Sequence, residues 1–341
     1  MRILLLNKTR SGEFRTFDYS DIEALRGAER TNLYLAEAMG ARGHEVVLAS
    51  SADKGSLRQG SVQLADPVSA LASDYDVAIS NNYAHAFAGA DAPLKLVWTH
   101  NPGFSWNHVK ADYAAKLRHL PYLVHLSKYT LGRSWFLPRS GQTIIHHGMP
   151  ANLLAARKLR TAAPPPVAVF ASYAGRNLRT VIKAWRDVVH PSLPAARLLV
   201  TAEVEPKHLG GVDAAELKRL NVEIVGTLPW SELMDLLRGA RVLVAPGHFQ
   251  ETYNLLSVEA AACGVPTVTM GIGALRERVV HDEGGWIASS IEEMGAALAR
   301  ILTHDELWLR YHRACLAHPD LVSWGDRAAE WEDYIGKLQR P

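Results

Sequence analysis

The feature of this sequence that most constrains its fold is a series of short apolar runs separated by helical stretches. In the first half these runs are residues 3–6, 46–49, 77–80, 94–99, 123–126 and 143–145. A second series follows at residues 167–171, 198–201, 222–225, 242–245, 267–270 and 286–288. Short apolar strands that alternate with helices are typical of βαβ units in a parallel sheet. Because the series starts twice, the sequence predicts an α/β protein with two Rossmann-like, doubly wound domains.

A proline-rich segment separates the two series. Residues 161–166 read Thr-Ala-Ala-Pro-Pro-Pro, and such a run is stiff and extended, and enters neither a helix interior nor a central strand. We therefore predict an N-terminal domain over residues 1–160 and a second domain over residues 161–322, which suits a chain longer than one typical domain. Two doubly wound domains leave a cleft between the carboxyl ends of their strands, where open α/β sheets bind ligands.

The last segment of the chain, residues 323–341, has a helical pattern. Ala328, Trp331 and Ile335 recur at helical spacing, and the residues between them are mainly polar. This pattern predicts a terminal amphipathic helix that packs by one face.

Composition and charge exclude several classes of function. The chain has 37 basic and 35 acidic residues and a formal net charge of +2, a balance too even for whole-chain electrostatic binding to nucleic acid. Cys263 and Cys315 lie in apolar helical contexts, which suits a reducing, cytoplasmic compartment. No window reaches the roughly 18 apolar residues of a membrane-spanning helix. The apolar start of the chain lacks a signal-peptide cleavage site, so we expect it to form the first strand.

Two glutamates, Glu251 and Glu259, lie between two predicted strands of the second domain. Residues 254–263 are rich in alanine and end at Gly264, which predicts a helix that contains Glu259 and follows a loop with Glu251. A helix N-terminus offers free N–H groups and a positive dipole end, which suit a diphosphate. Glu259 is then placed to accept hydrogen bonds from a ribose diol, and Glu251 to hold sugar hydroxyls. The alternative is that both are solvated acids on a helix surface.

The context of these glutamates resembles retaining glycosyltransferase family 4, of GT-B fold. The motif Glu-x7-Glu continues as Ala260-Ala-Ala-Cys-Gly-Val-Pro266, and residues 226–288 as a whole are similar to the family's donor site. Weaker similarity extends over most of the chain, including Gly27-Ala-Glu-Arg30 and Thr99-His100. The resemblance implies two Rossmann-like domains that face a cleft, a donor held by the second domain and an acceptor held by the first. It also implies that the C-terminal helix crosses back to the first domain.

The resemblance further implies roles for individual residues. Three would act at the reacting centre: His100 near the donor sugar or acceptor, Glu251 on the transferred sugar, and Arg176 on the phosphates. A cation there would neutralise charge on the leaving diphosphate, a role that needs no metal. No cofactor is implied, because the nucleotide-diphosphate sugar, of UDP or GDP type, is a co-substrate. The residues implied to bind this donor are Gly27, Arg176, Thr227, Glu251, Thr252, Tyr253, Asn254, Leu255 and Glu259.

The chain departs from the family pattern at three places, and the first is Arg26, which precedes Gly27 where the family often has a glycine pair. The family often has Gly-Phe-Gly after its first glutamate, whereas this chain has Thr252-Tyr-Asn254, which makes Asn254 a candidate helix cap. Tyr173 stands where a second basic residue is usual, so neutralisation would rest on Arg176, with Arg179 as an alternative. A separate motif, Gly-Ile-Gly-Ala-Leu-Arg at residues 271–276, lacks the third glycine of a dinucleotide fingerprint, and we expect it to line the donor sugar rather than to bind NAD.

Two other motifs have simpler explanations. Asp74-Tyr-Asp76 has the Asp-x-Asp form of a metal and nucleotide-sugar site, but it leads directly into a strand. Both aspartates are therefore expected at a strand start, and no metal site is predicted. His146 and His147 are adjacent on an extended segment, where successive side chains point to opposite sides, so we expect a structural role for them.

Residues 103–140 are both basic and aromatic. Their charged residues are the single acid Asp112 and the bases Lys110, Lys116, Arg118, Lys128, Arg133 and Arg139. This composition suits peripheral contact with an anionic membrane at its inner face, or a phosphorylated glycan acceptor. The alternative is a solvated basic face over buried aromatic side chains.

The resemblance makes one function the leading prediction. It is the metal-independent, retaining transfer of a sugar from a nucleotide diphosphate to a glycan or lipid-linked acceptor, as in bacterial cell-surface polysaccharide or lipopolysaccharide synthesis. Two alternatives stay open. One is a sugar-nucleotide 2-epimerase of similar fold, which needs acid/base carboxylates and a histidine in the cleft. The other is a non-catalytic subunit that binds a nucleotide sugar.

Overall fold

The computed structural model describes residues 1–15, 25, 27–50, 58–59, 62–101, 106–133 and 141–340, without the side chains of residues 58–59 and 106–111. The chain divides into two units: Met1–Pro150 with Val322–Pro341, and Ala151–Leu321. Each unit contains one sheet. Within the described ranges, no helix is both long enough and apolar enough to cross a membrane.

The first unit has a largely parallel sheet with helices between its strands. The strands are β1 Arg2–Leu6, β2 Glu45–Ala49, β3 Arg58–Gln59, β4 Val62–Ala65, β5 Val77–Asn81, β6 Leu94–Thr99, β7 Tyr122–His125 and β8 Gln142–Ile144. The helices of this part are α1 Gly27–Ala41, α2 Pro67–Leu71, α3 Trp106–His119 and α4 Lys128–Gly132. The strand order is β3-β4-β2-β1-β5-β6-β7-β8, with only β3 antiparallel to its neighbour. The chain order reverses at β1 and β5, as in a doubly wound fold.

The second unit has a six-stranded parallel sheet in the order β11-β10-β9-β12-β13-β14. These strands are β9 Val167–Phe170, β10 Arg197–Val200, β11 Val222–Ile224, β12 Val242–Val244, β13 Thr267–Thr269 and β14 Gly285–Ile287. The helices are α5 Ala151–Ala155, α6 Leu178–Ala184, α7 His190–Ser192, α8 Ala214–Arg219, α9 Trp230–Gly239, α10 Leu255–Ala262, α11 Leu275–Arg278, α12 Ile291–Thr303 and α13 Asp305–Leu316. The two central strands, β9 and β12, are continuous apolar runs, as expected where helices cover both faces of a parallel sheet.

The predicted α/β fold is confirmed strand by strand. Every apolar run that predicted a strand forms one, and the two series form the two separate sheets. The short strands β3 and β4 were not predicted. β4 reads Val-Gln-Leu-Ala, with its middle residues only half-buried, so its apolar signal is weaker than that of the central strands.

The N-terminal segment of the first unit ends at Pro150, before the boundary that we predicted at residue 160. The short helix α5 belongs to the second unit because it packs on α10. The proline-rich segment therefore lies inside the second unit, directly before β9. It is held there by the buried Arg241, whose Nε donates to the carbonyl oxygen of Pro164 at 2.6 Å.

The last helix, α14 Trp324–Gln339, belongs to the first unit, where it packs on α1. Its apolar face is the predicted one, since Ala328, Trp331 and Ile335 are fully buried. The ring of Trp331 packs edge-on against Trp98 of β6, with 5.5 Å between ring centroids. The C-terminal helix therefore returns to the first unit, as the family resemblance implied.

Gly148 provides a test of how closely this helix packs. A Cβ atom at Gly148 would lie 2.7 Å from the Cα atom of Trp324, which a rotamer change cannot relieve. We expect Gly148→Ala to lower the free energy of unfolding of the first unit by about 2 kcal/mol, as overpacking does. Gly336→Ala, within α14 itself and with open space around the added Cβ, is the control and should be neutral or stabilising. Urea unfolding measures both, and equal stabilities would contradict the packing.

Candidate functional site

The candidate donor site of the second unit lies where β12 and β13 end. These strands pair in parallel, so the loops after them, residues 245–254 and 270–274, leave the same edge of the sheet. An isolated bridge joins Gly247 to Ile272. The backbone N–H of Ala274 donates to the carbonyl oxygen of Glu251 at 2.9 Å. The two loops are therefore bonded to each other around Glu251.

Glycines make this contact possible. Gly273 has a φ of +71°, and a Cβ there would lie 2.6 Å from the carbonyl oxygen of His248. Gly247 has a φ of +96°, and its Cβ would lie 2.8 Å from the carbonyl oxygen of Ile272. Only glycine tolerates both the left-handed backbone and such a close approach. The segment 271–276 thus supports the Glu251 loop, and a contact with the donor sugar stays a prediction.

Arg176 and Glu251, which were predicted separately, form a direct ion pair. Arg176 Nη1 donates to Glu251 Oε1 at 2.9 Å, and the side chains are 36% and 6% exposed. A buried carboxylate needs such a partner. The guanidinium has five N–H donors in a planar fork, so one bond to Glu251 is compatible with further bonds to a phosphate. The alternative of solvated surface acids is wrong, since Glu251 and Glu259 are 5% and 4% exposed.

Asn177 is a contributor to the site that sequence reasoning missed. It adopts the left-handed conformation before α6, with φ 68° and ψ 31°. Its Nδ2 atom donates to the carbonyl oxygen of Gly247 at 2.6 Å. Asparagine is one of the few residues besides glycine that adopt this conformation. The bond ties the segment that carries Arg176 to the loop that carries Glu251, a contact that chain order does not reveal.

The residues after Glu251 begin α10 without the family's glycines. Asn254 takes a left-handed conformation, with φ 64° and ψ 74°, where glycine would otherwise be favoured. Its Oδ1 atom accepts from the N–H of Ser257 at 3.0 Å, so the prediction that Asn254 caps the helix is confirmed. Leu255 is the first helical residue. The first N–H groups of a helix have no acceptor within it, which leaves them available to an anion.

A buried cation supports the neighbouring Tyr253. The guanidinium of Arg278 lies 4.8 Å from the centroid of the Tyr253 ring. Arg278 also pairs with the buried Asp320, and its carbonyl oxygen is bonded to Nε2 of His318 at 2.8 Å. Thr252 and Tyr253 are 8% and 2% exposed, so their side chains pack beneath the loop and away from solvent. The sequence carried no signal for this network, because its members lie far apart along the chain.

Glu259 occupies the middle of α10. Its Oε1 atom accepts a hydrogen bond at 2.8 Å from Nε1 of Trp230, the first residue of α9.

The remaining candidates of the second unit lie at its surface. Thr227 lies exposed in the loop before α9. Arg179 is exposed on α6, and Tyr173 is 65% exposed beside His208. The helix α10 and its preceding loop thus carry most of the predicted donor residues.

The other two predicted residues, His100 and Gly27, lie in the first unit. Gly27 begins α1. His100 follows β6, and its backbone N–H donates at 2.7 Å to Oδ1 of Asn82, which has a left-handed φ of 68°. The His100 ring packs edge-on against Trp98, with 4.3 Å between centroids, and its Nε2 atom is shielded from solvent.

Two motifs for which we predicted a structural role, Asp74-Tyr-Asp76 and His146-His147, contribute to packing and hydrogen bonding in the first unit. His147 is 4% exposed and packs against Trp98 and Trp324. Asp76 precedes β5, and its Oδ2 atom accepts from the backbone N–H of Arg2 at 2.7 Å. In the described part of the chain, no three His, Cys, Asp or Glu side chains are grouped so that they could hold a metal ion.

Comparison with known proteins finds similarity in the second unit. Residues 165–304 match the family described as "Glycosyl transferases group 1". The D-inositol 3-phosphate glycosyltransferase of Segniliparus rotundus is 32% identical over 139 residues, which are 38% of this chain and 30% of that protein. The glycogen synthase of Mycobacterium tuberculosis is 36% identical over 99 residues, 29% of this chain and 24% of that protein. The match thus spans less than a third of these curated relatives.

Among solved structures, the sucrose-phosphate synthase of Thermosynechococcus elongatus matches with a TM-score of 0.70 and 16% identity. The match covers 99% of this chain and 98% of that chain. At this identity the likeness shows the fold alone. The predicted GT-B fold, with two α/β units and a returning C-terminal helix, is confirmed.

His100 generates a prediction about pH. Burial lowers the pKa of His100 to about 3, whereas an unfolded histidine titrates near pH ~6.5. Below about pH 6.5 the unfolded state therefore binds a proton that the native state does not, and stability falls as the pH decreases. Between about pH 7.5 and 5.5, we expect the free energy of unfolding of His100→Gln to fall by about 1 kcal/mol less than that of the wild type.

Urea unfolding at the two pH values checks this expectation. His304→Gln, at an exposed histidine, should retain the pH dependence of the wild type. If the His100 variant shows the same pH dependence as the wild type, the assignment of a neutral imidazole to native His100 is wrong.

Proposed function

We propose that this chain transfers a sugar from a nucleotide-diphosphate sugar to a glycan or lipid-linked acceptor, and the match of residues 165–304 to the group 1 glycosyl transferases supports this proposal. The observation that carries the proposal is the ion pair of Arg176 and Glu251 just before the N-terminus of α10. It joins a cation suited to a diphosphate with a buried carboxylate suited to sugar hydroxyls. We assign the reaction to cytoplasmic synthesis of bacterial cell-surface polysaccharide or lipopolysaccharide, with a donor of UDP or GDP type.

In this proposal the donor is bound by groups of three kinds. The backbone N–H groups from Tyr253 to Leu255 and the positive end of α10 bind the diphosphate. Arg176 binds the same phosphates with the N–H donors that do not face Glu251. Glu259 accepts hydrogen bonds from the ribose diol. Thr227 and Gly27 are proposed as further backbone contacts with the donor.

The transfer is proposed to proceed with retention and without a metal. The bond from the anomeric carbon to the leaving phosphate oxygen breaks, and a bond from the acceptor oxygen to the same face of that carbon forms. The acceptor's proton goes to the leaving phosphate oxygen, so no second carboxylate is needed as a base. Arg176 stabilises the charge that develops on the nucleoside diphosphate. Glu251 holds the hydroxyls of the transferred sugar.

His100 is proposed to contact the sugar or the acceptor as a neutral imidazole. Its pKa of about 3 means that the ring carries no charge near neutral pH. A neutral ring donates or accepts a hydrogen bond without opposing the positive charge that develops at the anomeric carbon.

Glu251→Gln tests the donor site, because glutamine keeps the shape of the side chain and removes its charge. We expect the release of nucleoside diphosphate from a UDP-sugar or GDP-sugar to slow about a hundredfold, as for the loss of one transition-state contact to a charged group. The control is Glu223→Gln, an exposed acid paired with Arg197 at the β11 edge of the sheet, which should retain wild-type turnover.

The same assay separates this proposal from its alternatives. An unchanged rate in Glu251→Gln would show that the donor-site assignment is wrong. A new sugar nucleotide formed without acceptor would indicate a 2-epimerase. Nucleotide binding without any turnover would indicate a non-catalytic subunit.

We also propose that the first unit contacts an anionic membrane through α3. Tyr113 and Leu117, one helical turn apart, are 49% and 59% exposed, and Leu120, just after the helix, is 75% exposed. Arg118 is exposed beside them. Asp112, the one acid of the basic segment, is buried and accepts from the N–H groups of Ala84 and His85. The parts of this segment at residues 102–105 and 134–140 lie outside the described residues.

Leu117→Ser with Leu120→Ser tests the membrane contact. We expect the double variant to bind vesicles of phosphatidylcholine and phosphatidylglycerol at least about tenfold more weakly, because two leucines lose their transfer free energy. The control is Val68→Ser, at an apolar residue of α2 that is 79% exposed in the same unit. Cosedimentation with vesicles measures both. Equal binding of the wild type to vesicles of phosphatidylcholine alone would contradict the proposed charge dependence.

A further inference from the structure

The Glu259 carboxylate, which is proposed to bind the donor's ribose, accepts a hydrogen bond from a tryptophan to which the family resemblance gave no role. Nε1 of Trp230 donates to Oε1 of Glu259 at 2.8 Å. Trp230 is 9% exposed and Glu259 is 4% exposed. A hydrogen bond to a buried carboxylate contributes more than one between neutral groups, because water does not compete for the acceptor.

The chain fixes this tryptophan from several sides. Gly226 turns the backbone after β11, with a φ of +85°, and Pro229 precedes the first turn of α9. The helix α9 packs on α10, and its Met234 and Leu237 are buried. The indole therefore reaches Glu259 from a neighbouring helix whose position is set by its own apolar face.

The chemistry of the two groups makes their bond directional. An indole N–H only donates, and an ionised carboxylate only accepts. The bond therefore selects one orientation of the Glu259 carboxyl group. Ribose hydroxyls are also donors to that carboxyl group, so its orientation decides how well the diol fits. Trp230 does not need to touch the nucleotide to affect this fit.

We propose that Trp230 is a positioning residue that holds the Glu259 carboxylate for the 2′- and 3′-hydroxyls of the donor's ribose. This inference rests on the proposed function, because it takes Glu259 as the ribose-binding acid. It also links the loop before α9, which carries Thr227, to the acid on α10. Recognition of the diol then depends on both helices.

Trp230→Phe tests the inference, since it removes the N–H donor and keeps an aromatic ring. Calorimetry compares a nucleoside diphosphate with its 2′,3′-dideoxy analogue, using whichever of UDP, GDP and ADP binds the wild type most tightly. We expect the variant to bind the nucleoside diphosphate about tenfold more weakly, the scale of one hydrogen bond to a charged group. Its affinity for the dideoxy analogue should be unchanged, because that ligand has no diol.

A matched control exists in the same unit. Trp286 of β14 donates from Nε1 to Oε1 of Glu293 at 2.9 Å, which is the same kind of bond at the edge strand of the sheet. Trp286→Phe should leave both nucleotide affinities as in the wild type.

The outcomes distinguish the inference from the proposed function. If Trp230→Phe weakens both ligands equally, Trp230 is only structural and the inference is overturned. If the wild type does not discriminate between the ligands, the ribose role of Glu259 fails while donor binding stands. If no nucleoside diphosphate binds, the proposed function fails, and the inference fails with it.

A second variant guards against loss of the fold. Site-specific replacement of Trp230 by its benzothienyl analogue, in which sulfur takes the place of the indole N–H, keeps the shape of the side chain. It should reduce discrimination for the diol as Trp230→Phe does. Full discrimination in this variant would overturn the inference.

Discussion

The hydrogen bond from the backbone of Ala274 to the carbonyl oxygen of Glu251 joins the two loops on which the donor site depends. It forms because β12 and β13 are parallel neighbours and deliver their following loops to one edge of the sheet. Gly273 removes the side chain that would keep the loops apart. Asn177 adds a second connection, from the segment after β9 to Gly247. Glu251 and Arg176 then meet as a consequence of strand order.

The loop before α10 lacks the glycines that the family often has after its first glutamate, and its contacts explain how it folds without them. Asn254 adopts the left-handed conformation that glycine would supply, and its side chain caps α10 as well. Tyr253 is accommodated because the guanidinium of Arg278 lies against its ring. Arg278 is in turn paired with Asp320, so a buried charge is compensated inside the unit. A bulky loop sequence is therefore stabilised by an ion pair from later in the chain.

Much of the fold could be predicted because its signals are local. A run such as Val167-Ala-Val-Phe170 is apolar throughout, and in a parallel sheet both of its faces are buried. The C-terminal helix was equally readable from Ala328, Trp331 and Ile335. The strand β4 was not predicted, because its residues Val-Gln-Leu-Ala give a weaker apolar signal. The boundary between the units lies earlier than the predicted one, because α5 packs on α10 and so belongs to the second unit. This contact joins segments that are distant in sequence.

For the site, the sequence by itself determined that Glu251 lies in a loop, that Asn254 caps a helix and that Glu259 lies within it, since these follow from neighbours a few residues away. Only the tertiary structure decided that Arg176 pairs with Glu251, that Arg278 backs Tyr253 and that Trp230 reaches Glu259. Each of these contacts joins residues from different elements. Their distances are set by strand order and helix packing, which no local pattern of residues encodes.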